Sequence, residues 1–228
     1  MTHSLSPASP GSPARLLRVD FHFDFICPWC LIGKRNLEAA IAALEARQPH
    51  MSVQVVWHPL ELLPHTPPGG LPYEAFYLAR LGSAQAVAQR RAQVRQAAHS
   101  AGVELAFERI RVMPNTAAAH ELVARATDKD GERGRGLQAE LIERLFSAYF
   151  VEGEDIGDAP TLSRIARAYG VDDAAPAPRV DGASLRVDGV PFFVFEGRYA
   201  VSGAQPPQVL VDAMLRAVEL AQEREHEA

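Results

Sequence analysis

A strand pattern gives way to a helix pattern at a Cys-Pro-Trp-Cys stretch that holds both cysteines of the chain. From Arg18 to Phe25 polar and apolar residues alternate, which is typical of a strand with one buried face. From Pro28 to about Arg47 the apolar residues recur at helical spacing, and a second strand pattern occupies 51–58. Strand, helix and strand in this order predict a βαβ unit, in which the two strands are parallel.

Helical patterns dominate the middle of the chain, after a proline-rich connection at 59–72. A loop rich in Pro, Asp and Gly follows them at 170–184. Strand patterns then return as a hairpin at 190–203, and a last helix begins at Pro206. The helices of the middle section are predicted near 73–81, 84–101, 116–126, 135–150 and 160–169.

This order of elements predicts an α/β protein with a thioredoxin-like fold, βαβ followed by ββα, and an inserted all-helical domain between the two parts. We place the thioredoxin-like domain at 16–62 and 186–228, and the helical insertion at 63–185. Residues 1–15, which are rich in Ser and Pro, are expected to be a disordered lead.

Composition and charge limit the classes of function. A hydrophobic content of 47% in 228 residues suffices for a packed core without disulfides. The net charge is -5 and the densest positive group, Arg90, Arg91 and Arg95, is small, so we expect no nucleic-acid partner. No apolar run approaches the roughly 18–20 residues that a membrane span needs. Because the N-terminal stretch also lacks the pattern of a secretory signal, we expect a cytoplasmic protein without a membrane partner.

The two cysteines occupy positions that suit redox chemistry. If the helix begins at Pro28, Cys27 is its N-cap, and the sulfur faces the amide groups at the positive end of the helix dipole. These amides, of Trp29 and Cys30, favour the thiolate, so Cys27 is the predicted nucleophile. Cys30 is close enough to form a disulfide and is shielded on the inner side of the helix, which makes it the resolving cysteine. Pro28 and Trp29 add stiffness and an apolar ring, which we expect to contact the substrate.

Two other interpretations of the cysteine pair stay open. A zinc site needs about four ligands, and the sequence offers only His22 and His58 beside the pair, so no metal is expected. The cysteines could also be inert core residues, because free Cys is commonly buried. In a cytoplasmic protein a Cys pair is typically catalytic or metal-binding, and redox chemistry is therefore our preferred interpretation.

Several longer stretches resemble a known family. They are FDFICPWCLIGKRNLE at 23–38, W-x-P at Trp57 and Pro59, NTAAAH at 115–120, AYF-x-x-G-x-D-I at 148–156, and GVPFFVF with VSGAQ near the C-terminus. Together they resemble the FrnE-type branch of the DsbA-like thiol-disulfide oxidoreductases, which is related to the 2-hydroxychromene-2-carboxylate isomerases and the kappa-class glutathione transferases. The resemblance covers nearly the whole chain after the lead, and it implies a thioredoxin fold with an inserted helical domain.

The resemblance also implies roles that the patterns alone do not assign. Pro191 is expected to be the cis-proline beside the active-site sulfurs, and the backbone of Val190 is expected to bind an extended peptide. The implied partners are thiol- or disulfide-containing proteins or peptides. No tightly bound cofactor is implied, although glutathione or a thioredoxin-type reductant could be the redox partner. Between Gly170 and Gly189 the family has room for a further helix, whereas this chain has a shorter stretch with two prolines.

Asp24 has two open interpretations. Its carboxylate, three residues before the first cysteine, could accept or relay the proton of Cys30 as a general base. It could equally be a solvated acid on the polar face of the strand end. His120 is expected to be a packed or paired histidine, and Asn115 or Thr116 to cap the helix that follows.

Three hypotheses of function follow. The first is a dithiol-disulfide oxidoreductase that acts as an oxidase or isomerase of protein thiols through the CPWC pair. The second is a glutathione-dependent isomerase or transferase of small molecules, although those relatives typically have Ser in place of Cys27. The third is a non-enzymatic chaperone or holdase whose helical insertion binds apolar segments.

Overall fold

The structure is a computed structural model that describes residues 15–133, 136–171, 187 and 189–227. Within these ranges the helices and strands, in chain order, are β1 (Arg15–Phe23), α1 (Pro28–Arg47), β2 (Met51–Pro59), β3 (Leu71–Pro72), α2 (Tyr73–Leu81), α3 (Ala84–Ser100), β4 (Val112–Met113), α4 (Ala117–Arg133), α5 (Leu137–Ser147), α6 (Ala159–Tyr169), β5 (Phe192–Phe195), β6 (Tyr199–Ser202) and α7 (Pro207–Glu227). A 3-10 turn at Phe107–Arg109 and a π-helical turn at Ala148–Glu152 complete the set.

A four-stranded sheet in the order β2-β1-β5-β6 forms the centre of the molecule. β1 runs parallel to β2 and antiparallel to β5, and β6 forms a hairpin with β5. The predicted parallel βαβ unit and the C-terminal hairpin are therefore confirmed. The alternation of β1 is real as well, because Val19, Phe21 and Phe23 all lie in the core.

Helices α1 and α7 contact each other, and each also contacts the sheet. One buried cation ties α1 to the helical insertion. Lys34, only 2% exposed, donates to the carboxylates of Glu38 at 2.5 Å and Glu143 at 2.7 Å, and Arg35 donates to Glu143 as well. The helix that carries both cysteines is thereby fixed against α5, since a buried ammonium group is stable only when it is paired.

Between β2 and β5 the regular elements within the described ranges are helices, apart from the two-residue ladder of β3 with β4. Two predicted N-caps are confirmed: Ser83 accepts from the Ala86 amide at 3.1 Å, and Asp158 accepts from the Thr161 amide at 3.0 Å. Buried residues of the insertion and of the sheet form one continuous core. The Phe146 ring of α5 contacts the end of the sheet there. The fold is thus thioredoxin-like with a helical insertion, as the sequence predicts.

The boundaries of some elements differ from the predicted ones. β1 begins at Arg15 and ends at Phe23, so it takes up the last residue of the predicted lead and stops two residues early. It stops because the chain turns there, and the Asp24 carbonyl accepts the amide hydrogen of Cys27 at 3.1 Å. Helix α4 continues to Arg133, well past the predicted end. Most of the predicted 1–15 lead and of the 170–184 loop lies outside the described residues.

No helix in the described ranges is long and apolar enough to cross a membrane.

Candidate active site

Cys27 and Cys30 lie at the start of α1, directly after the turn that ends β1. Cys27 is the N-cap, with an extended backbone at φ -93° and ψ 107°, and Pro28 occupies the first helical turn. Both cysteines are free thiols. Cys27 is 6% exposed and Cys30 is fully buried, so only the first of them can meet a partner without a rearrangement of the helix.

The expected hydrogen bonds between the Cys27 sulfur and the helix amides are absent from the structure, and that prediction is wrong. The Cys30 amide donates instead to the Cys27 backbone carbonyl at 3.0 Å. The Cys27 sulfur lies 3.6 Å from the carbonyl oxygen of Val190 and can donate its S–H to it. Sulfur is a weak acceptor for an amide, whereas a protonated thiol is satisfied by a carbonyl oxygen beside it.

The pKa of the Cys30 thiol is raised well above its usual value. Burial is the main cause, and the neighbouring Cys27 adds to it by a hydrogen bond and by charge repulsion. The Asp24 carboxylate also disfavours the Cys30 thiolate. Cys30 is therefore protonated at neutral pH in the free dithiol form.

Val190 and Pro191 are joined by a cis peptide bond next to the Cys27 sulfur. Gly33, which was not among the residues predicted from the sequence, packs against this proline. A Cβ at position 33 would lie 3.1 Å from Cγ of Pro191 and 3.2 Å from the ring of Phe193. Glycine at this point allows α1 to approach the proline closely. A glycine early in a helix, about 1 kcal/mol less favourable than Ala, is the signal that indicates such a contact.

Asp24 lies in the interior and not on the solvated polar face of the strand. Its side chain is fully buried and accepts from the Leu62 amide at 2.7 Å. His120, from α4, donates through Nε2 to the other carboxylate oxygen at 3.2 Å. Among the described residues Nδ1 of His120 has no hydrogen-bond partner, although it is buried. The expected pairing of His120 is confirmed, and its partner is the candidate proton relay.

A cavity of about 530 Å³ opens beside Cys27, between the thioredoxin-like part and the helical insertion. Cys27, Pro28 and Trp29 form one wall, whereas Val190 and Pro191 flank the sulfur and are not part of the lining. Most of the surface is apolar, as in sites that bind an apolar segment of a ligand. The opposite wall comes from α2 and α3, and its aromatic members are Tyr73, Phe76 and Tyr77.

The tyrosines of this wall remain neutral over the physiological range. Their rings pack 4.9 Å apart, and burial raises the pKa of both Tyr73 and Tyr77. The Cys27 group adds to the increase at Tyr77, which places that phenol within electrostatic range of the sulfur.

Three arginines, Arg80, Arg90 and Arg91, also line the cavity. The guanidinium of Arg90 lies 5.6 Å from the centre of the Trp29 ring, and that of Arg91 lies 5.3 Å from the centre of the Tyr73 ring. In the sequence, Arg90 and Arg91 are visible only as part of a small basic group. Their position on α3, opposite the cysteines, depends on the tertiary packing. No cluster of three or more metal-binding side chains is found in the part of the chain that the structure describes.

A buried cysteine pair at a strand-to-helix junction beside a cis-proline is the arrangement of a thioredoxin-fold redox protein. The chain belongs to the family of DsbA-like thioredoxin domains, whose model matches residues 18–183. This membership confirms the resemblance on which the predicted fold and branch rest.

Individual relatives agree with the assignment. YwbO of Bacillus subtilis, an uncharacterised protein, is 28% identical over 159 residues, or 70% of this chain and 69% of that protein. The crystal structure of a probable DsbA oxidoreductase from Streptomyces coelicolor is 29% identical and superposes with a TM-score of 0.73 over 89% of this chain and 90% of that one. A 2-hydroxychromene-2-carboxylate isomerase shares the fold at 14% identity, with a TM-score of 0.56 over 92% and 99% of the two chains.

Proposed function

We propose that the protein is a dithiol-disulfide oxidoreductase that exchanges disulfides with cysteines of protein or peptide substrates. The observation that carries this proposal is the unequal placement of the two thiols. Cys27 borders an open apolar cavity, whereas Cys30 is fully buried three residues further along the same helix. A substrate therefore reacts with Cys27 alone, and Cys30 can only attack from within.

The exchange proceeds in two steps, and in each of them one disulfide bond forms as another breaks. In the reducing direction the Cys27 thiolate attacks one sulfur of a substrate disulfide, forms a mixed disulfide and releases the other substrate sulfur as a thiolate. Cys30 then loses its proton and attacks the Cys27 sulfur, which breaks the mixed disulfide and frees the second substrate thiolate. The protein is left with a Cys27–Cys30 disulfide. Oxidation of a substrate dithiol is the same sequence in reverse. In isomerisation another thiolate of the same substrate attacks the mixed disulfide, forms the new substrate disulfide and releases the Cys27 thiolate before Cys30 reacts.

Asp24 is our candidate base for the second step. Its carboxylate is buried, lies within electrostatic range of Cys30 and is held by the Leu62 amide and by His120. A base in this position meets the need created by burial of Cys30, whose pKa is raised. His120 acts as a positioning residue that holds the carboxylate through its Nε2.

Val190, Pro28 and Trp29 are our candidates for substrate contact. In the free dithiol form the Val190 carbonyl is occupied by the Cys27 thiol. When Cys27 enters a mixed disulfide, that S–H no longer exists and the backbone of Val190 becomes free to pair with an extended substrate segment. Pro28 and Trp29 would contact the apolar side chains of that segment. Pro191 would lie beside the reacting sulfurs.

The electrons of the reaction reside in the two thiols, so the proposal needs no tightly bound cofactor. Glutathione or a thioredoxin-type reductant of the cytoplasm would restore the dithiol form. The reduction potential of the pair, measured in glutathione buffers, separates the directions. A value near or above about -200 mV supports an oxidase or isomerase, and one near about -270 mV supports a reductant.

Two matched variants test the proposal. Cys27→Ser should abolish reduction of insulin disulfides, whereas Cys30→Ser should accumulate a mixed disulfide that dithiothreitol releases. Full activity in Cys27→Ser would falsify the assignment of the nucleophile. Turnover of a small molecule with glutathione that survives loss of Cys30 would support the isomerase or transferase alternative. Suppression of client aggregation by a variant without cysteines would support the holdase.

A further inference from the structure

The cavity beside Cys27 has a charge that differs in sign from that of the whole protein. The chain carries a net charge of -5, yet the charged side chains among the described residues that line the cavity are all arginines. Arg91 is balanced by Glu74, which accepts its hydrogen bond at 2.8 Å. Within the described part of the chain, the hydrogen-bond partner of the Arg90 side chain is the neutral Gln93, also at 2.8 Å. The mouth of the cavity is therefore cationic.

Arg90 brings this positive charge close to the turn of α1 that carries the reacting sulfur. Its guanidinium lies over the Trp29 ring, and Trp29 is two residues from Cys27 on the first turn of α1. Arg90 is exposed, and a guanidinium that contacts an aromatic face keeps further N–H groups available for an anion. Arg80 stands on the α2 side of the same opening and is exposed.

From this arrangement we infer that the protein selects disulfide substrates in which a carboxylate lies on an apolar segment next to the reacting cysteine. The inference rests on the proposed function and names its substrate class. The apolar lining takes the side chains around the cysteine, while Arg90 and Arg80 take the carboxylate of an Asp or Glu one or two residues away. Arginine is suited to this role because its planar donors match the geometry of a carboxylate.

The experiment uses three peptide disulfides that are identical except for Glu, Gln or Lys next to the cysteine. The second-order rate constant of the reduced full-length protein is measured for each and divided by the rate constant with dithiothreitol, which removes intrinsic differences in reactivity. We expect the order Glu, Gln, Lys, with Glu faster than Lys by about tenfold at low salt. At about 1 M salt most of this preference should vanish, because exposed charges are then screened.

Variants of the arginines localise the effect. Arg90→Gln and Arg80→Gln should each reduce the Glu-to-Lys ratio about threefold, because each removes one exposed charge interaction. Arg167→Gln is the matched control, since this exposed α6 residue lies outside the cavity lining and its loss changes the net charge equally. The ratio should be unchanged in that variant.

The outcomes separate this inference from the proposed function. Equal normalised rates for the three peptides, with all of them reduced, would overturn the charge selection and leave the oxidoreductase intact. A protein that reduces none of them would overturn both. If the arginine variants slow the reduction of glutathione disulfide but do not alter the peptide ratio, the cationic mouth takes a small thiol compound and the peptide inference is wrong.

Discussion

Two aspartates four residues apart, Asp20 within β1 and Asp24 just beyond its end, each pair with a histidine, yet the two pairs differ in their surroundings. Asp20 accepts from His58 at 2.6 Å and also from Arg18, and the Asp20 and His58 side chains are 12% and 17% exposed. Asp24 and His120 are 0% and 6% exposed, and no cation is bonded to this carboxylate among the described residues.

The difference lies in what balances each carboxylate. Burial acts to raise the pKa of Asp20, but the hydrogen bonds from Arg18 and His58 outweigh it, and the pKa is lower than usual. Such a group is a fixed anion in an ion-pair cluster. Asp24 has only an amide and an imidazole as donors and lies near a thiol that must lose its proton. The same pair of residue types thus serves structure in one place and, on our proposal, proton transfer in the other.

Replacement of each aspartate by Asn should have the largest effect and tests directly whether the two carboxylates differ in function. Asp24→Asn should slow resolution of the mixed disulfide about 100-fold, because the general base is lost while the side-chain shape is kept. An aromatic disulfide that releases a coloured thiol separates the steps, since the first equivalent reports attack by Cys27 and the second reports resolution by Cys30.

The matched variant Asp20→Asn should change both phases by less than about twofold, because Asp20 contacts none of the reacting atoms. The pH profile supplies a second readout. In Asp24→Asn resolution should rise steadily with pH, as hydroxide or water takes over from the missing base. Equal second phases in the two variants would show that Asp24 is a structural acid like Asp20.

Replacement of the two histidines tests the same difference, with a smaller expected effect on the rate of resolution. His120→Asn removes the Nε2 donor, because the amide of the shorter Asn side chain lies where Nδ1 was. The Asp24 carboxylate is then held less precisely, so resolution should slow about tenfold. His58→Asn makes the corresponding change at Asp20 and should leave resolution unaffected. If His120→Asn lowers stability without altering the second phase or its pH profile, His120 is only a packing partner of Asp24.

Local patterns predicted much of this fold but not these partnerships. The alternation of β1, the N-cap position of Cys27 and the caps at Ser83 and Asp158 depend on residues within a few positions of one another, and all were predicted. The partner of Asp24 is 96 residues away, on a helix whose orientation no local pattern defines. Period-two alternation put Asp24 on the polar face of the strand and left its role open, because it could not show that the strand ends at Phe23.

In the site, too, features that depend on neighbouring residues were predicted and contacts between distant residues were not. Spacing alone predicted that Cys27 and Cys30 act together, but it directed the Cys27 sulfur to the helix amides and missed the Val190 carbonyl. That carbonyl lies just before β5, far along the chain. The approach of Gly33 to Pro191 likewise becomes visible only when α1 and β5 are brought together.

The smallest expected effect is on acid stability, and it belongs to the Asp20 side of the comparison. His22 stacks on His58 with ring centres 4.6 Å apart, and burial, aided by repulsion from His58, lowers the pKa of His22 although Asp20 opposes the shift. A histidine with a lowered pKa in the folded state contributes stability above its unfolded pKa of about 6.5 and loses it as the pH falls from there. The lowered pKa of Asp20 makes a second contribution, present above about pH 3.9 and lost as the pH falls further.

The free energy of unfolding should therefore decline in two windows on acidification, and each window has its own variant. His22→Gln should flatten the decline that begins below about pH 6.5, and Asp20→Asn should flatten the one below about pH 4. Urea titrations at several pH values between neutrality and acid measure both. A decline in His22→Gln that matches the parent protein between neutrality and pH 5 would mean that His22 does not titrate differently on folding. The cluster around Asp20 would then contribute to acid sensitivity through its carboxylate alone.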